Sequence, residues 1–140
     1  MSPDQIFQLT SPMALLGWLS LAAAPFAPRV AQSVAIAVPL LLSTLYSGLI
    51  LAYWFAAKGG FSTLPEVQLL FTQPEIALAG WVHYLAFDLF LGAWQVRTAR
   101  AEGINHAYVL PCLALTFLFG PAGLLAFAIL RFALTRKVLP

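Results

Sequence analysis

Long apolar stretches separated by short polar breaks dominate the pattern of this chain. Four such stretches cover approximately residues 6–26, 31–57, 75–96 and 108–134. Each is close to or above the roughly 20 residues that an α-helix needs to cross the hydrocarbon core of a bilayer. The pattern therefore predicts an all-α, polytopic integral membrane protein, folded as a bundle of four transmembrane helices.

The breaks between the stretches carry signals that end membrane helices. Pro28 and Arg29 follow the first stretch, Lys58 and two glycines end the second, and Arg97 follows the third. Because the connections after the first and third stretches are short, neighbouring helices are expected to be antiparallel. Four crossings then predict a single domain, residues 1–140, with both termini on the same side of the membrane.

One connection, residues 58–74, is long enough to form structure of its own. It combines apolar side chains with Glu66. This composition fits a short amphipathic segment that lies in the membrane interface or folds over a cavity. A partly ordered loop whose apolar groups dip into lipid fits it as well, and the sequence leaves both open.

Prolines and small residues inside the stretches predict bent helices in close contact. Pro39, Pro111 and Pro121 each remove a backbone donor, which predicts kinked helices. Gly120, Pro121 and Gly123 together predict a break near the middle of the fourth helix. On the second helix, small residues at i,i+4 spacing predict a close helix contact. This contact is expected to centre on Ser43, Ser47 and Gly48.

Composition supports the membrane prediction and excludes several functions. Hydrophobic residues make up 61% of the chain and charged residues only 9%, whereas soluble domains average about 25% charged residues. The net charge is +2, and the absence of a basic stripe or binding motif excludes nucleic acid as a partner. Two histidines and one cysteine do not form a ligand set with recognisable spacing, so neither a metal nor another cofactor is expected.

Basic residues give a small preference for one orientation. The terminal side of a four-helix bundle would carry Lys58, Arg131, Arg136 and Lys137, against Arg29, Arg97 and Arg100 opposite. This small excess favours cytoplasmic termini. The chain shows no plastid transit peptide, which would be long and rich in Ser and Arg, so a multi-pass protein of the bacterial inner (cytoplasmic) membrane is expected.

Two ionisable residues near the middle of the third stretch are the candidate catalytic residues, Asp88 and His83. A charged group that faces lipid at this depth costs on the order of 3 kcal/mol or more. Both side chains are therefore expected to face protein or a cavity. Burial favours the neutral carboxyl of Asp88, which makes it a proton donor. A structural hydrogen bond to a neighbouring helix is the alternative for each residue.

Aromatic residues near these two groups are candidate substrate-binding residues. At 100° per residue, Trp81, Tyr84 and Asp88 share one stripe of the third helix. His83 and Trp94 share another stripe, about 140° away. Packing in the core or anchoring at the interface is the alternative for such side chains. The full set of substrate-binding candidates is Trp81, Tyr84, Tyr46, Tyr53, Trp94 and His106.

Two segments in the second half of the chain resemble a known family. The run from Gly80 to Trp94, GWVHYLAFDLFLGAW, resembles the W-x-H-x-L-x-x-D-L-F core of the abscisic acid-deficient-four-like family. This is the neoxanthin synthase-like group of plastid membrane proteins and their bacterial relatives. The stretch from His106 to Leu124 is similar to the second block of that family, in which a His opens the last helix and a proline and glycine break follows.

This resemblance implies a chemistry for the candidate residues. In plants the family is implicated in converting violaxanthin to neoxanthin, an isomerisation that opens an epoxide and leaves an allene. Such a reaction needs an acid near the epoxide oxygen and a base near the adjacent polyene hydrogen. Asp88 and His83 would supply them, in either order. The resemblance therefore implies a cofactor-free carotenoid isomerase.

A non-catalytic function fits the same sequence. In that alternative the protein binds pigment or lipid, or assists the assembly of a larger complex. Both hypotheses expect a hydrophobic polyene such as a xanthophyll, or an isoprenoid lipid, together with membrane lipids as partners. They leave a homo-oligomer open. Ion or proton transport through Asp88 is a weaker hypothesis, because two ionisable groups do not make a complete relay.

Overall fold

Helices account for all the regular structure in the computed structural model, which describes residues 1–138. The predicted all-α class is confirmed. A 3-10 turn at Trp54–Ala56 extends the second helix. The five helices are α1 (Pro3–Ala22), α2 (Pro28–Tyr53), α3 (Leu64–Phe71), α4 (Pro74–Ala101) and α5 (His106–Thr135).

Local sequence determines where the helices begin. Ser2 caps α1 in a capping box with Gln5, which satisfies backbone donors that have no partner within the helix. Prolines at the first turn of α1, α2 and α4 sit where the missing N–H costs nothing. The observed helices match the four predicted stretches to within about a turn and a half.

By length and composition alone, counted along the chain, three helical segments are long and apolar enough to cross a membrane, namely Pro28–Ala56, Pro74–Ala101 and His106–Thr135. Their length and composition support the prediction of a membrane protein. The first predicted crossing corresponds to α1, which is not among them, so the count of four is not confirmed. Asp4 and Gln5 make the first turn of α1 polar.

The helix α4 forms the centre of the bundle and contacts each of the other four helices. Two glycines lie where α4 packs against α1. Gly17 of α1 lies against Leu89, and Gly92 of α4 lies against the ring of Trp18. A Cβ atom at either glycine would overlap these side chains. Small residues therefore do bring two helices together, but at α1 and α4.

The predicted contact face of α2 is wrong. Ser47 and Gly48 are exposed, and a Cβ atom added to Gly48 would meet no atom within 4 Å. The hydroxyl of Ser47 donates to the carbonyl of Ser43 in its own helix, at 2.8 Å. Apolar residues of mixed size form the buried face of α2, which packs against α1 and α4. This face consists of Ala31, Ala35, Val38, Pro39, Leu42 and Leu49.

The predicted break in the last helix is confirmed at Phe119 and Gly120. Their backbone angles (φ −144°, ψ 44° and φ 3°, ψ −73°) are not helical. They divide α5 into a first arm, residues 106–118, and a second arm, residues 121–135. The break is sharper than a kink, because Gly123 lies directly against the backbone of Thr116. In a continuous helix these residues would be about 10 Å apart along the axis.

The second arm runs back along α4 to the end where α5 begins. Arg131 donates to Glu102, the residue after α4, with nitrogen to oxygen distances of 2.7 and 2.9 Å. A straight helix would place Arg131 about 37 Å from His106. The contact therefore requires that the chain reverses direction, and α5 is a helical hairpin.

This reversal corrects the prediction that the termini share a side. The ring of Phe7 lies 5.5 Å from that of Trp81, near the start of α4. At the other end of the bundle, the Val138 carbonyl accepts a hydrogen bond from Arg131 at 3.3 Å. The termini thus lie at opposite ends. Each arm of α5 is only about 20 Å long, which is too short to cross a hydrocarbon core of about 30 Å.

The connection between α2 and α4 contains the short helix α3. The side chain of Gln73 closes this connection, since it accepts from the N–H of Lys58 at 2.9 Å and donates to its carbonyl at 2.8 Å. Phe71 of α3 packs against Gly80 of α4. Two arrangements were expected for residues 58–74, a short structured segment and a partly ordered loop. These contacts agree with the structured segment.

Candidate functional site

Asp88 lies on α4 opposite the turn of the α5 hairpin. Its carboxyl group contacts Gly120, where a Cβ atom would overlap it. Within residues 1–138, its Oδ2 is the one buried side-chain oxygen or nitrogen that has no hydrogen-bond partner. Buried polar atoms are rarely left without a partner. The expectation that Asp88 faces inward is met.

Tyr84 lies one helical turn before Asp88 and contacts the same hairpin. Its hydroxyl donates to the carbonyl of Phe117 at 2.7 Å, one of the carbonyls that the helix break leaves free. Trp81 stacks on Tyr84 with ring centroids 5.3 Å apart, and its indole N–H donates to Ser11 at 3.3 Å. These residues join α4 to α5 and α1.

Gln95 continues this stripe and was not predicted as a site residue. It is fully buried and donates to the Thr116 hydroxyl at 2.9 Å and to the Gly123 carbonyl at 3.2 Å. It therefore holds both arms of the hairpin. Trp94 packs edge-on against Phe127 of the second arm at 5.3 Å, which is a packing contact.

His83 faces the outside of the bundle, so the expectation that it points inward is wrong. Its ring stacks on Phe87 at 4.6 Å and lies 5.4 Å from the ring of Tyr46. On α4 it is five residues from Asp88, a spacing that places the two side chains on different faces. His83 and Asp88 therefore do not meet in one pocket.

A groove between α2 and α4 begins beside this pair of rings. It has a volume of about 480 Å³, within the usual range for ligand sites. Phe87 and Phe90 form one wall, and Ser43 lies on the other. His83 precedes Phe87 by one turn, and Tyr46 follows Ser43 by nearly one turn. Neither residue is among those that line the groove, so the contact between their rings lies beside it.

A larger cavity of about 820 Å³ lies at the end of the bundle where α5 begins. Arg97 lines both this cavity and the groove. Gln32, Arg100 and His106 are the other polar lining residues. His106 also donates from Nε2 to the carbonyl of Ala22 at 3.0 Å, which ties the start of α5 to the end of α1.

The predicted site residues thus fall into separate places. Trp81, Tyr84 and Asp88 face the hairpin or α1, whereas His83 and Tyr46 contact each other between α4 and α2, beside the groove. Tyr53 is exposed in the last turn of α2. Sequence reasoning missed Arg97, whose position near a helix end suggested only an interfacial anchor. Over the described part of the chain, no group of three or more His, Cys, Asp and Glu side chains is placed to hold a metal ion.

Long apolar helices, among them a broken last helix, indicate that this chain is a helical membrane protein. Its sequence matches the model of the family described as ABA DEFICIENT 4-like over residues 5–127. The chain belongs to this family, which confirms the resemblance drawn from the two sequence blocks. Neither curated proteins nor solved structures show a significant match to it.

Proposed function

We propose that this protein binds one elongated isoprenoid or polyene lipid in the groove between α2 and α4. The observation that carries the proposal is the groove itself, an apolar channel of about 480 Å³ between two long apolar helices. Its aromatic wall, Phe87 and Phe90, is more than half exposed in the single chain. A hydrocarbon ligand enters such a groove from the bilayer without crossing water.

His83 and Tyr46, the polar pair next to the groove, favour a ligand that carries an oxygen atom. None of the side-chain hydrogen bonds within residues 1–138 involves His83 or Tyr46. A polar group without a partner is costly in an apolar environment. A hydroxyl or epoxide oxygen on the ligand would satisfy both side chains. Family membership supports the same class of ligand, since the neoxanthin synthase-like group is linked to xanthophylls.

Isomerisation of the bound polyene is a second candidate function. The unpartnered imidazole of His83 favours it, because a base is needed beside the polyene hydrogen. Asp88 lies on another face of α4, so it cannot serve as the acid for an epoxide in this groove. The hydroxyl of Tyr46 would donate the proton instead. The acid and base pair predicted from the sequence, Asp88 and His83, would require a second ligand position at the hairpin.

Expression in hosts that accumulate different carotenoids tests both functions. Pigment that co-purifies unchanged with the protein is the expected result for binding, and a new pigment in the host is the expected result for isomerisation. Chromatography and absorption spectroscopy measure both. Failure of every carotenoid and every isoprenoid alcohol to co-purify would contradict the proposal.

Two matched variants locate the binding site. Ser43→Phe places a ring in the groove and is expected to abolish co-purification. Ala37→Phe adds the same ring at an exposed position of α2 that lines neither cavity, and is expected to leave it intact. If both variants changed co-purification of the pigment to the same extent, the groove would not be the binding site.

The proposal includes an arrangement in the membrane in which α1, α2 and α4 cross and the α5 hairpin is re-entrant. Because the hairpin returns, the end of the bundle where α5 begins collects six of the seven basic residues, and Lys58 alone lies at the other end. The positive-inside rule then places this basic end in the cytoplasm. The carboxyl terminus is cytoplasmic and the amino terminus is on the opposite side. The six residues are Arg29, Arg97, Arg100, Arg131, Arg136 and Lys137.

A further inference from the structure

The cavity at the basic end of the bundle differs in chemistry from the groove that it adjoins. Arg97 and Arg100 line it together with Gln32 and His106. No Asp or Glu is among its lining residues in the described chain. Both ion pairs within residues 1–138 involve Glu102 with Arg131 or Lys137. The two cavity arginines therefore have no carboxylate partner in this part of the protein.

The cavity and the groove adjoin each other and share part of their lining. Ala35, Ile36 and Arg97 line both of them. Along α4, the distance from Arg97 to His83 is about 21 Å at the usual helical rise. One long chain can therefore lie in the groove with its end in the basic cavity. The groove is bounded by only two helices, which suits a single hydrocarbon chain.

From this charge complementarity we infer that the site binds a single-chain isoprenoid lipid with a phosphate headgroup, which Arg97 and Arg100 hold in the cavity. The inference rests on the proposed function, because the chain occupies the same groove. Guanidinium groups bind phosphate through short, charge-assisted hydrogen bonds. The amide of Gln32 supplies a further donor on the α2 side. His106 lines the α5 side, where its bond to Ala22 fixes the ring.

Binding of geranylgeranyl phosphate to the purified protein in detergent tests the inference. Geranylgeraniol has the same chain without the phosphate and is expected to bind about a hundredfold more weakly, since the charged hydrogen bonds of the two arginines each contribute about tenfold. Arg100→Gln, at a residue that lines the cavity but not the groove, is expected to weaken the phosphate about tenfold and leave the alcohol unchanged. Arg29→Gln, at the same end but outside the cavity lining, is the matched control and should change neither.

The outcomes separate this inference from the proposed function. Equal binding of the alcohol and the phosphate, with no effect of Arg100→Gln, overturns the phosphate site and leaves the groove intact. Binding of neither ligand overturns both. Tighter binding of phosphatidic acid shows that the cavity serves two-chain bilayer lipids, and tight binding of inorganic phosphate alone shows that the groove is not required. Either result contradicts a single-chain ligand.

The competing occupant of the groove is a second copy of the chain. Native mass spectrometry of wild type and Ser43→Phe distinguishes this case. A dimer in the wild type that dissociates in the variant would make the groove a protein interface and overturn the inference. A mass increase equal to one geranylgeranyl phosphate on a single chain, lost in Ser43→Phe, is the expected result.

Discussion

Glu102 and Arg131 are 29 positions apart in the sequence and form a two-pronged ion pair, with both nitrogen to oxygen distances below 3 Å. Glu102 lies in the turn after α4, and Arg131 lies in the second arm of α5. Lys137 reaches the same carboxylate at 3.4 Å. These contacts hold the returning arm of the hairpin against the end of α4.

The pairing predicts a loss of stability in acid. The hydrogen bond from Arg131, with a smaller contribution from Lys137, lowers the pKa of Glu102 from 4.5 to about 2. A carboxyl whose folded pKa is depressed stabilises the protein above its unfolded pKa, and this contribution is lost as the pH falls toward the folded pKa. We expect the melting temperature in detergent to fall between about pH 4.5 and pH 2.

Two variants assign this effect to the pair. Glu102→Gln should lower the melting temperature at pH 7 and flatten its dependence on pH in that window. Asp4→Gln changes an exposed carboxyl at the other end of the bundle and should leave the profile as it is. An unchanged acid profile in Glu102→Gln would show that the ion pair does not stabilise the hairpin.

The crossing of the two hairpin arms predicts a strong effect at Gly123. A methyl group there would overlap the backbone of Thr116, so Gly123→Ala should destabilise the protein by about 1–3 kcal/mol. Gly48→Ala is the control, because it faces open space and a helical Gly to Ala change stabilises by up to about 1 kcal/mol. Unfolding titrations in mixed micelles measure both. Similar effects at the two sites would argue against the hairpin.

The buried network around Gln95 predicts a smaller effect. Gln95→Leu removes the bonds to Thr116 and Gly123, and hydrogen bonds between membrane helices contribute about 1 kcal/mol. In a double-mutant cycle, Thr116→Val should cost less in the Gln95→Leu background than in the wild type. Strict additivity would mean that the two side chains do not interact.

Contact between Asp88 and Gly120 predicts a compensating pair of substitutions. Gly120→Ala should destabilise the hairpin turn because its methyl group meets the Asp88 carboxyl, and Asp88→Ala should relieve this effect in the double variant. Failure of that rescue would place the strain elsewhere in the turn.

Asp88→Asn is a separate test of chemistry, because an amide cannot transfer the carboxyl proton. Since Asp88 lies outside the groove, we expect folding and pigment binding to persist. Loss of turnover with folding retained would return Asp88 to the role of acid, and His83→Gln measured on the same polyene would test the base.

Opposite positions of the termini are directly testable by labelling. In a Cys112→Ala background, Ser2→Cys and Lys137→Cys should react with a membrane-impermeant maleimide from different sides of sealed vesicles. Ser2→Cys is expected to react from outside intact cells, and Lys137→Cys only after the membrane is opened. Labelling of both from the same side would contradict the hairpin.

The sequence by itself determined the helices and their ends. Apolar stretches of membrane length, prolines at the first turns and the break at Gly120 are local features, and the energy of each depends on neighbours within a few residues. The inward position of Asp88 also followed from sequence, because a carboxyl in the hydrocarbon region is costly wherever the helix packs.

Only the tertiary structure decided the direction of the chain after Gly120. A Gly and Pro break permits a bend of any size, and the reversal depends on contacts with α4 that lie far away in sequence, at Gln95 and Glu102. The same holds for His83, since the periodicity of a helix separates its faces without saying which one meets a neighbour. Packing of α2 through Leu42 and Val38, instead of its serines, is likewise settled by the shape of the opposing helices. The groove arises between α2 and α4, and the basic cavity arises where the ends of these helices meet the end of α1 and the start of α5. These surfaces meet only in the folded chain.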